Sequence, residues 1–269
     1  MKVAATSRVF ALLGDPVAHS MSPQMHNAAF GAMGIDATYV ALRCAAVDLP
    51  HAMRVLASAG GGGNVTVPHK RTAATVGRAD PVVERLGVAN AFGASADGEL
   101  ATTNTDVEGV IGGVTRLGGA GGTWLVIGTG GSARAVAGAA AQCGVRLAVA
   151  SRDPGRAADF GTWADSIGAA PGHPDDASLV INATPLGLDA TDPLPIDPVT
   201  LPSARLALDL TYRADGPTAW CRAWHARGCD AIDGRETLLV QGAAAWRLWL
   251  PGVQPPVELM RAVLHGRLG

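Results

Sequence analysis

The stretch TWLVIGTGGSARAVAGAAAQCGVRLAVAS, residues 123–151, decides the fold class. Thr123 to Ile127 is a short, nearly all-apolar run of the kind that forms a buried strand. A glycine turn follows it, then an alanine-rich helix from Ser132 to Cys143, then a second strand from Arg146 to Ser151. That is one βαβ unit with a G-x-G-x-x-A fingerprint in its turn. Gly128 permits the tight turn, Gly130 lets a pyrophosphate approach the main chain, and Ala133 allows the helix to pack closely on the strand. The helix N-terminus then faces the phosphates.

Similar alternation continues on both sides. Downstream, Leu179 to Asn182, Leu206 to Leu210 and Ala231 to Asp233 read as strands, with a helix from Pro217 to Arg227. After Gly234 the text turns helical, in TLLVQGAAAWRLWL and PPVELMRAVLHGRL. Upstream, beyond a glycine-rich break at Gly118 to Gly122, strands are expected at Val9 to Leu13, Thr38 to Leu42 and Gly63 to Val67. Helices are expected after Pro23 and from Val47 to Ala59, the first opened by Ser22 as N-cap with proline at N1. Asp97-Gly98 between two short apolar runs predicts a hairpin. Stacked βα units imply an α/β protein with mostly parallel sheets: an N-terminal α/β domain and a Rossmann-like domain with a cleft between them. The boundaries are placed at 1–105 plus 238–269 and at 106–237, the helical tail packing back onto the first domain.

Composition narrows the function. The 269 residues are 48% hydrophobic and 16% charged with a formal net charge of −2, which allows a large core and offers no basic footprint to nucleic acid or anionic membrane. Apolar runs stay short of the ~18 residues that cross a bilayer, and the first residues lack a long signal-like core, so a cytoplasmic protein is expected. Cys44, Cys143, Cys221 and Cys229 are scattered without metal-ligand spacing. They read as small buried hydrophobes, with no metal.

Only Lys2 and Lys70 are lysines among 21 basic residues. Arginine cannot deprotonate near neutral pH whereas a lysine amine can be tuned toward proton transfer, which singles out Lys70. Asn64 and Thr66 alternate on one face of a strand whose end delivers Lys70, and His69 beside Pro68 is read as a turn residue. Ser20 and Ser22, two residues apart at a turn, can bond a carboxylate or polyol, unless Ser22 serves as a helix cap alone. Asn104 and Asp106 place an amide and a carboxylate at a strand-to-helix junction. Ser151, Arg152 and Arg156 follow the second Rossmann strand. Arginine there favours the 2′-phosphate of NADP, and Asp153 beside it favours an unphosphorylated ribose.

Nine motifs in order, DPVAHSMSPQMHN, NVTVPHK, GVAN, TNTDVEG, GTGGSARA, SRDPGRA, NATPLGL, DLTYRADGPT and DGRETLLVQGA, run from about residue 9 to 250. This text resembles shikimate dehydrogenase and its quinate and shikimate dehydrogenase relatives. The resemblance implies reversible reduction of 3-dehydroshikimate to shikimate with NADPH, as a step toward aromatic amino acids. It implies Lys70 and Asp106 as the catalytic pair. Ser20, Ser22, Asn64, Thr66, Asn90, Asn104, Tyr212 and Gln241 would contact substrate. Gly128, Gly130, Gly131, Ser151, Arg152, Arg156, Thr184 and Gly234 would contact NADP. A small-molecule substrate is the expected partner, with a homodimer open. Glu236 and Thr237 stand where the family carries glycine and methionine beside the nicotinamide, and Asp153, Pro185, Leu188 and Ala91 also depart from its pattern. These departures point to a paralogue, so quinate or an aminoshikimate with NAD or NADP stays as an alternative, and a non-catalytic metabolite or NADP sensor as a third reading.

Overall fold

The computed structural model describes residues 3–119 and 121–266. Two units emerge from its contacts: one from the described parts of Met1–Thr105 and Leu238–Gly269, the other Asp106–Thr237.

In the first unit, β1 (Arg8–Gly14), β2 (Ala37–Arg43), β3 (Gly62–Val65), β4 (Arg78–Ala79), β5 (Ala91–Ala94) and β6 (Leu100–Thr103) form a sheet in the order β2-β1-β3-β5-β6-β4. The sheet is mixed. β1 runs parallel to β2 and β3, and β4 to β6, but β5 is antiparallel to both β3 and β6. The hairpin predicted at Asp97-Gly98 forms between β5 and β6, where Gly98 takes φ +83°, a left-handed conformation natural to glycine. β3 ends at Val65, two residues before the expected end, although Thr66 N still donates to the Leu13 carbonyl and the Val67 carbonyl accepts from Asp15 N. Lys70 accordingly opens the short helix α3 (Lys70–Ala73) and does not lie at a strand end.

Helix α1 (Ser22–Ala32) begins one residue earlier than expected. Met21 occupies the N-cap without a side-chain cap, and Ser22 is already helical. Ser20 Oγ instead accepts the Ser22 N–H at 3.2 Å, so the capping role moves two residues back. Helix α2 (Leu49–Ser58) and the unpredicted α4 (Pro81–Leu86) also belong to this unit, Asp80 capping the latter through Val83 N.

The second unit contains α5 (Asp106–Arg116), β7 (Thr123–Ile127), α6 (Gly131–Cys143), β8 (Arg146–Ala150), α7 (Pro154–Ser166), β9 (Ala177–Asn182), β10 (Leu206–Asp209), α8 (Ala219–Ala226) and β11 (Asp230–Ile232). All its ladders are parallel, in the order β11-β10-β9-β7-β8. The chain passes from β7 to β8 on one side and returns to β9 on the other, which creates a topological switch at β7. Trp220 and Trp224 of α8 fill the core against β9 and β10. Within the break before β7, Gly118 and Gly122 take positive φ, and Ala120 lies outside the described residues.

Helix α9 (Arg235–Trp249) leaves the second unit and, from Leu238 on, belongs to the first, as does α10 (Val257–Leu264). Trp246 Nε1 donates to His26 Nδ1 at 3.2 Å and Trp249 Nε1 to the Phe92 carbonyl at 3.0 Å, fastening the returning tail. Arg267 and Leu268, which the sequence placed in the last helix, lie outside the described residues. Cys44, Cys221 and Cys229 are buried, whereas Cys143 is exposed at the C-terminal end of α6, where Gly144 turns the chain away. No helix among the described residues is long and apolar enough to cross a membrane.

Candidate active site

In the first unit, side chains far apart in sequence converge on the segment Val88–Asn90. Ala89 N donates to the Lys70 carbonyl at 2.9 Å, which sets the start of α3 beside this segment. The Asn104 amide donates to the Val88 carbonyl at 3.0 Å. Asn90 Oδ1 accepts the Thr105 N–H at 2.7 Å, and its Nδ2 donates to Thr105 Oγ1 at 3.0 Å and Gln241 Oε1 at 3.2 Å. Asn64 Nδ2 donates to the Asn90 carbonyl at 3.1 Å and reaches Gln241 Oε1 at 3.4 Å. Lys70, Asn64, Asn90, Asn104 and Gln241 are all buried, a setting in which amides must satisfy one another or a ligand.

Two members of this cluster carry no expectation from the sequence. Thr105 lies inside the TNTDVEG motif, between the amide and the carboxylate that stand out there. Tyr39, whose hydroxyl donates to Asn64 Oδ1 at 2.7 Å, sits in an ordinary strand pattern and gives no signal. Its ring stacks on His26 at 4.6 Å. Burial holds the His26 pKa down at about 3, so the ring is neutral and takes the Trp246 N–H on Nδ1. His69 is more than a turn residue: it is buried, and its Nε2 lies 2.7 Å from the Cys44 carbonyl, tethering the N-terminus of α3. Thr66, half-buried just past β3, keeps the ladder through its N–H to the Leu13 carbonyl. Ser20 and Ser22 stand together at the head of α1, Ser22 buried and Ser20 half-buried.

The second unit gathers its predicted residues along one sheet edge. Ile127 is in register with both Ala150 and Asn182, and Asn182 with Asp209, so these four strands end in one row. Gly128, Ser151, Thr184 and Tyr212 follow those ends, the carboxyl edge where open α/β sheets take ligands. Gly128 has φ +110°, and a Cβ there would meet the Ala183 carbonyl and Thr184 Cγ2, each at 3.2 Å. Gly130 occupies the N-cap of α6, and a Cβ on it would meet nothing within 4 Å. That open approach to the main chain beside a helix N-terminus fits a pyrophosphate. Arg152 and Arg156 are exposed beyond β8. Asp153 caps α7 by accepting the Arg156 N–H at 3.2 Å and lies 3.5 Å from Arg156 Nε. Gly234 is pressed against the main chain, where a Cβ would fall 2.5 Å from the Leu210 carbonyl. Asp106 opens α5 directly after Thr105.

Residues 12–92 match the model of the shikimate dehydrogenase substrate binding domain. The chain is 39% identical to the shikimate dehydrogenase (NADP+) of Rubrobacter xylanophilus, over 95% of this chain and 94% of that protein. The chain belongs to the shikimate dehydrogenase family. A second member, the shikimate dehydrogenase (NADP+) of Methanothrix thermoacetophila, is 36% identical over 97% of this chain and 98% of its own length. Among solved structures of the family, the shikimate 5-dehydrogenase of Thermus thermophilus in complex with NADP(H) and shikimate superposes with a TM-score of 0.85. It is 33% identical, and the match covers 97% of this chain and 99% of that one.

Proposed function

We propose that this chain is an NADP-dependent shikimate dehydrogenase, reversibly reducing 3-dehydroshikimate to shikimate. The observation that carries the reading is the cluster of Asn64, Asn90, Asn104 and Gln241 around the segment that anchors Lys70. Buried amides that both donate and accept suit a ring bearing several hydroxyls, because such a ring can replace each internal bond with one of its own. Full-length identity to NADP-dependent relatives and the Thermus thermophilus complex support the same substrate and cofactor.

In this reading the first unit binds substrate. Ser20 and Ser22 take the ring carboxylate, and Asn64, Thr66, Asn90, Asn104 and Gln241 its hydroxyls, with Tyr212 a further proposed substrate contact. That second unit holds NADP, with Gly128, Gly130 and Gly131 at the pyrophosphate, Ser151, Arg152 and Arg156 at the 2′-phosphate, and Thr184 and Gly234 alongside. The bound cofactor supplies the acceptor or donor of hydride. Lys70 takes the proton of the reacting hydroxyl when shikimate is oxidised and returns it in reduction, with Asp106 as the second member of the proposed catalytic pair. The capping bond of Asp153 accounts for a carboxylate near the 2′-phosphate, which favours NADP over the NAD alternative. We place the enzyme in the cytoplasm with diffusible metabolites as its partners and no nucleic acid, consistent with its net charge of −2. The homodimer left open by the resemblance is tested by sedimentation, where a single species at monomer mass would remove it.

A spectrophotometric matrix of shikimate, quinate and aminoshikimate against NAD and NADP tests the assignment. Shikimate with NADP should give the highest kcat/KM. Turnover of quinate or aminoshikimate alone would replace this reading with that of a paralogue, to which Glu236 and Thr237 already point. NADP binding without any turnover would favour a sensor.

A further inference from the structure

Asp209, the last residue of β10, is fully buried. No cation pairs with it among the described residues, and hydrogen bonds alone hold its carboxylate. Oδ1 accepts from the Asn182 side-chain amide at 2.8 Å, from Thr211 N at 3.0 Å and from Thr211 Oγ1 at 2.8 Å. Oδ2 accepts from Thr218 Oγ1 at 2.7 Å. Burial pushes its pKa up and these donors pull against that. A carboxylate taken out of water without a counter-ion is costly to the fold, and a neutral side chain would fill the space more cheaply.

What the carboxylate provides is direction. It can only accept, so Asn182 must turn its NH2 toward it. The Asn182 carbonyl oxygen then faces Thr184 and takes both Thr184 N at 3.0 Å and Thr184 Oγ1 at 2.7 Å, while Nδ2 also donates to the Leu186 carbonyl at 3.0 Å. The loop 183–188 is thereby shaped from Asp209. Asp209 Oδ1 itself pins the main chain of Thr211, immediately before Tyr212.

We propose that Asp209 is a positioning residue that sets, from one buried carboxylate, both the Thr184 loop assigned to the cofactor and the Tyr212 turn assigned to the substrate. The proposal rests on the functional reading above. An alanine there offers no acceptor, so Asn182 Nδ2 and the Thr211 N–H and hydroxyl lose their common partner together.

Steady-state kinetics of Asp209→Ala test it. The KM for NADP and the KM for shikimate should each rise at least fivefold, with a smaller change in kcat. Thr218→Val is the structural control. It removes one of the four bonds and the cap that Thr218 Oγ1 gives α8 through Cys221 N but leaves the Asn182 and Thr211 bonds to Oδ1 in place, so Tm should fall while both KM values stay within twofold. Should Asp209→Ala fail to fold, Asn182→Ala and Thr211→Val, which removes the Oγ1 bond alone, weaken the arms separately: the first should raise the KM for NADP more than that for shikimate, the second the reverse. Unchanged KM values in Asp209→Ala, or equal KM shifts in Thr218→Val, would overturn the proposal, as would Asn182→Ala and Thr211→Val behaving alike. A wild-type enzyme that cannot oxidise shikimate would instead defeat the functional reading, and tryptophan fluorescence of NADP binding would still read the Asn182 arm.

Discussion

Replacing Ser22 by alanine separates two jobs that a serine at a helix start can do. A serine that caps a helix loses about 0.5–2 kcal/mol of stability when truncated. Ser22 does not cap: the N-cap is Met21, and the N–H of Ser22 is itself satisfied by Ser20 Oγ at 3.2 Å. Ser22→Ala should therefore leave Tm nearly unchanged. If its hydroxyl bonds the substrate carboxylate, the lost charge-assisted bond is worth about 1.5–3 kcal/mol, or roughly tenfold to a hundredfold in affinity. A carboxylate away from the reacting carbon is held about equally in ground and transition states, so the loss should appear in KM for shikimate more than in kcat. Ser20→Ala should do both, raising KM and lowering Tm by roughly 2–4 °C for a loss near 1 kcal/mol. Thermal scans and initial rates on the two variants decide the matter. A destabilised Ser22→Ala with wild-type KM would refute the reasoning at both points, the cap and the carboxylate.

Lys70→Ala should lower turnover by about two or more orders of magnitude, and Lys70→Arg should not restore it. Circular dichroism should stay native, since the bond from Ala89 N to the Lys70 carbonyl needs no side chain. Replacing Arg152 and Arg156 together by alanine should raise KM for NADP more than KM for NAD, and equal effects would make them ordinary surface charges. His26 has a folded pKa near 3 against 6.5 in the unfolded chain, so between those values the unfolded state binds the extra proton and stability falls as pH is lowered. His26→Gln, which keeps an acceptor for Trp246 but cannot titrate, should flatten that acid limb by up to about 1.4 kcal/mol per pH unit. Denaturant melts across that window measure the slope, and parallel curves for the two proteins would remove His26 as the titrating group.

The βαβ unit around Gly128 was legible because its determinants are local. A positive-φ glycine, a small residue at Ala133 and an apolar strand act within a few positions of one another, and β7 and α6 fall where the text puts them. Lys70, Asn64, Asn90 and Gln241 could be named from motifs, since motif order survives in one dimension. Their meeting could not, because Asn64 and Gln241 lie 177 residues apart and only the return of α9 to the first unit joins them. The shift of one residue at the head of α1 moved a capping role from Ser22 to Ser20, a difference decided by which oxygen the folded turn brings near an N–H. Asp209 and Tyr39 are ordinary letters in strand patterns. Their weight comes from burial, which removes water as the competing partner and leaves each polar atom to whatever the fold sets beside it. Residue type and short-range spacing determined which elements form and which chemistries are available. The packing of distant segments decided which of those polar groups face one another, since a hydrogen bond depends on position in space and not on separation along the chain.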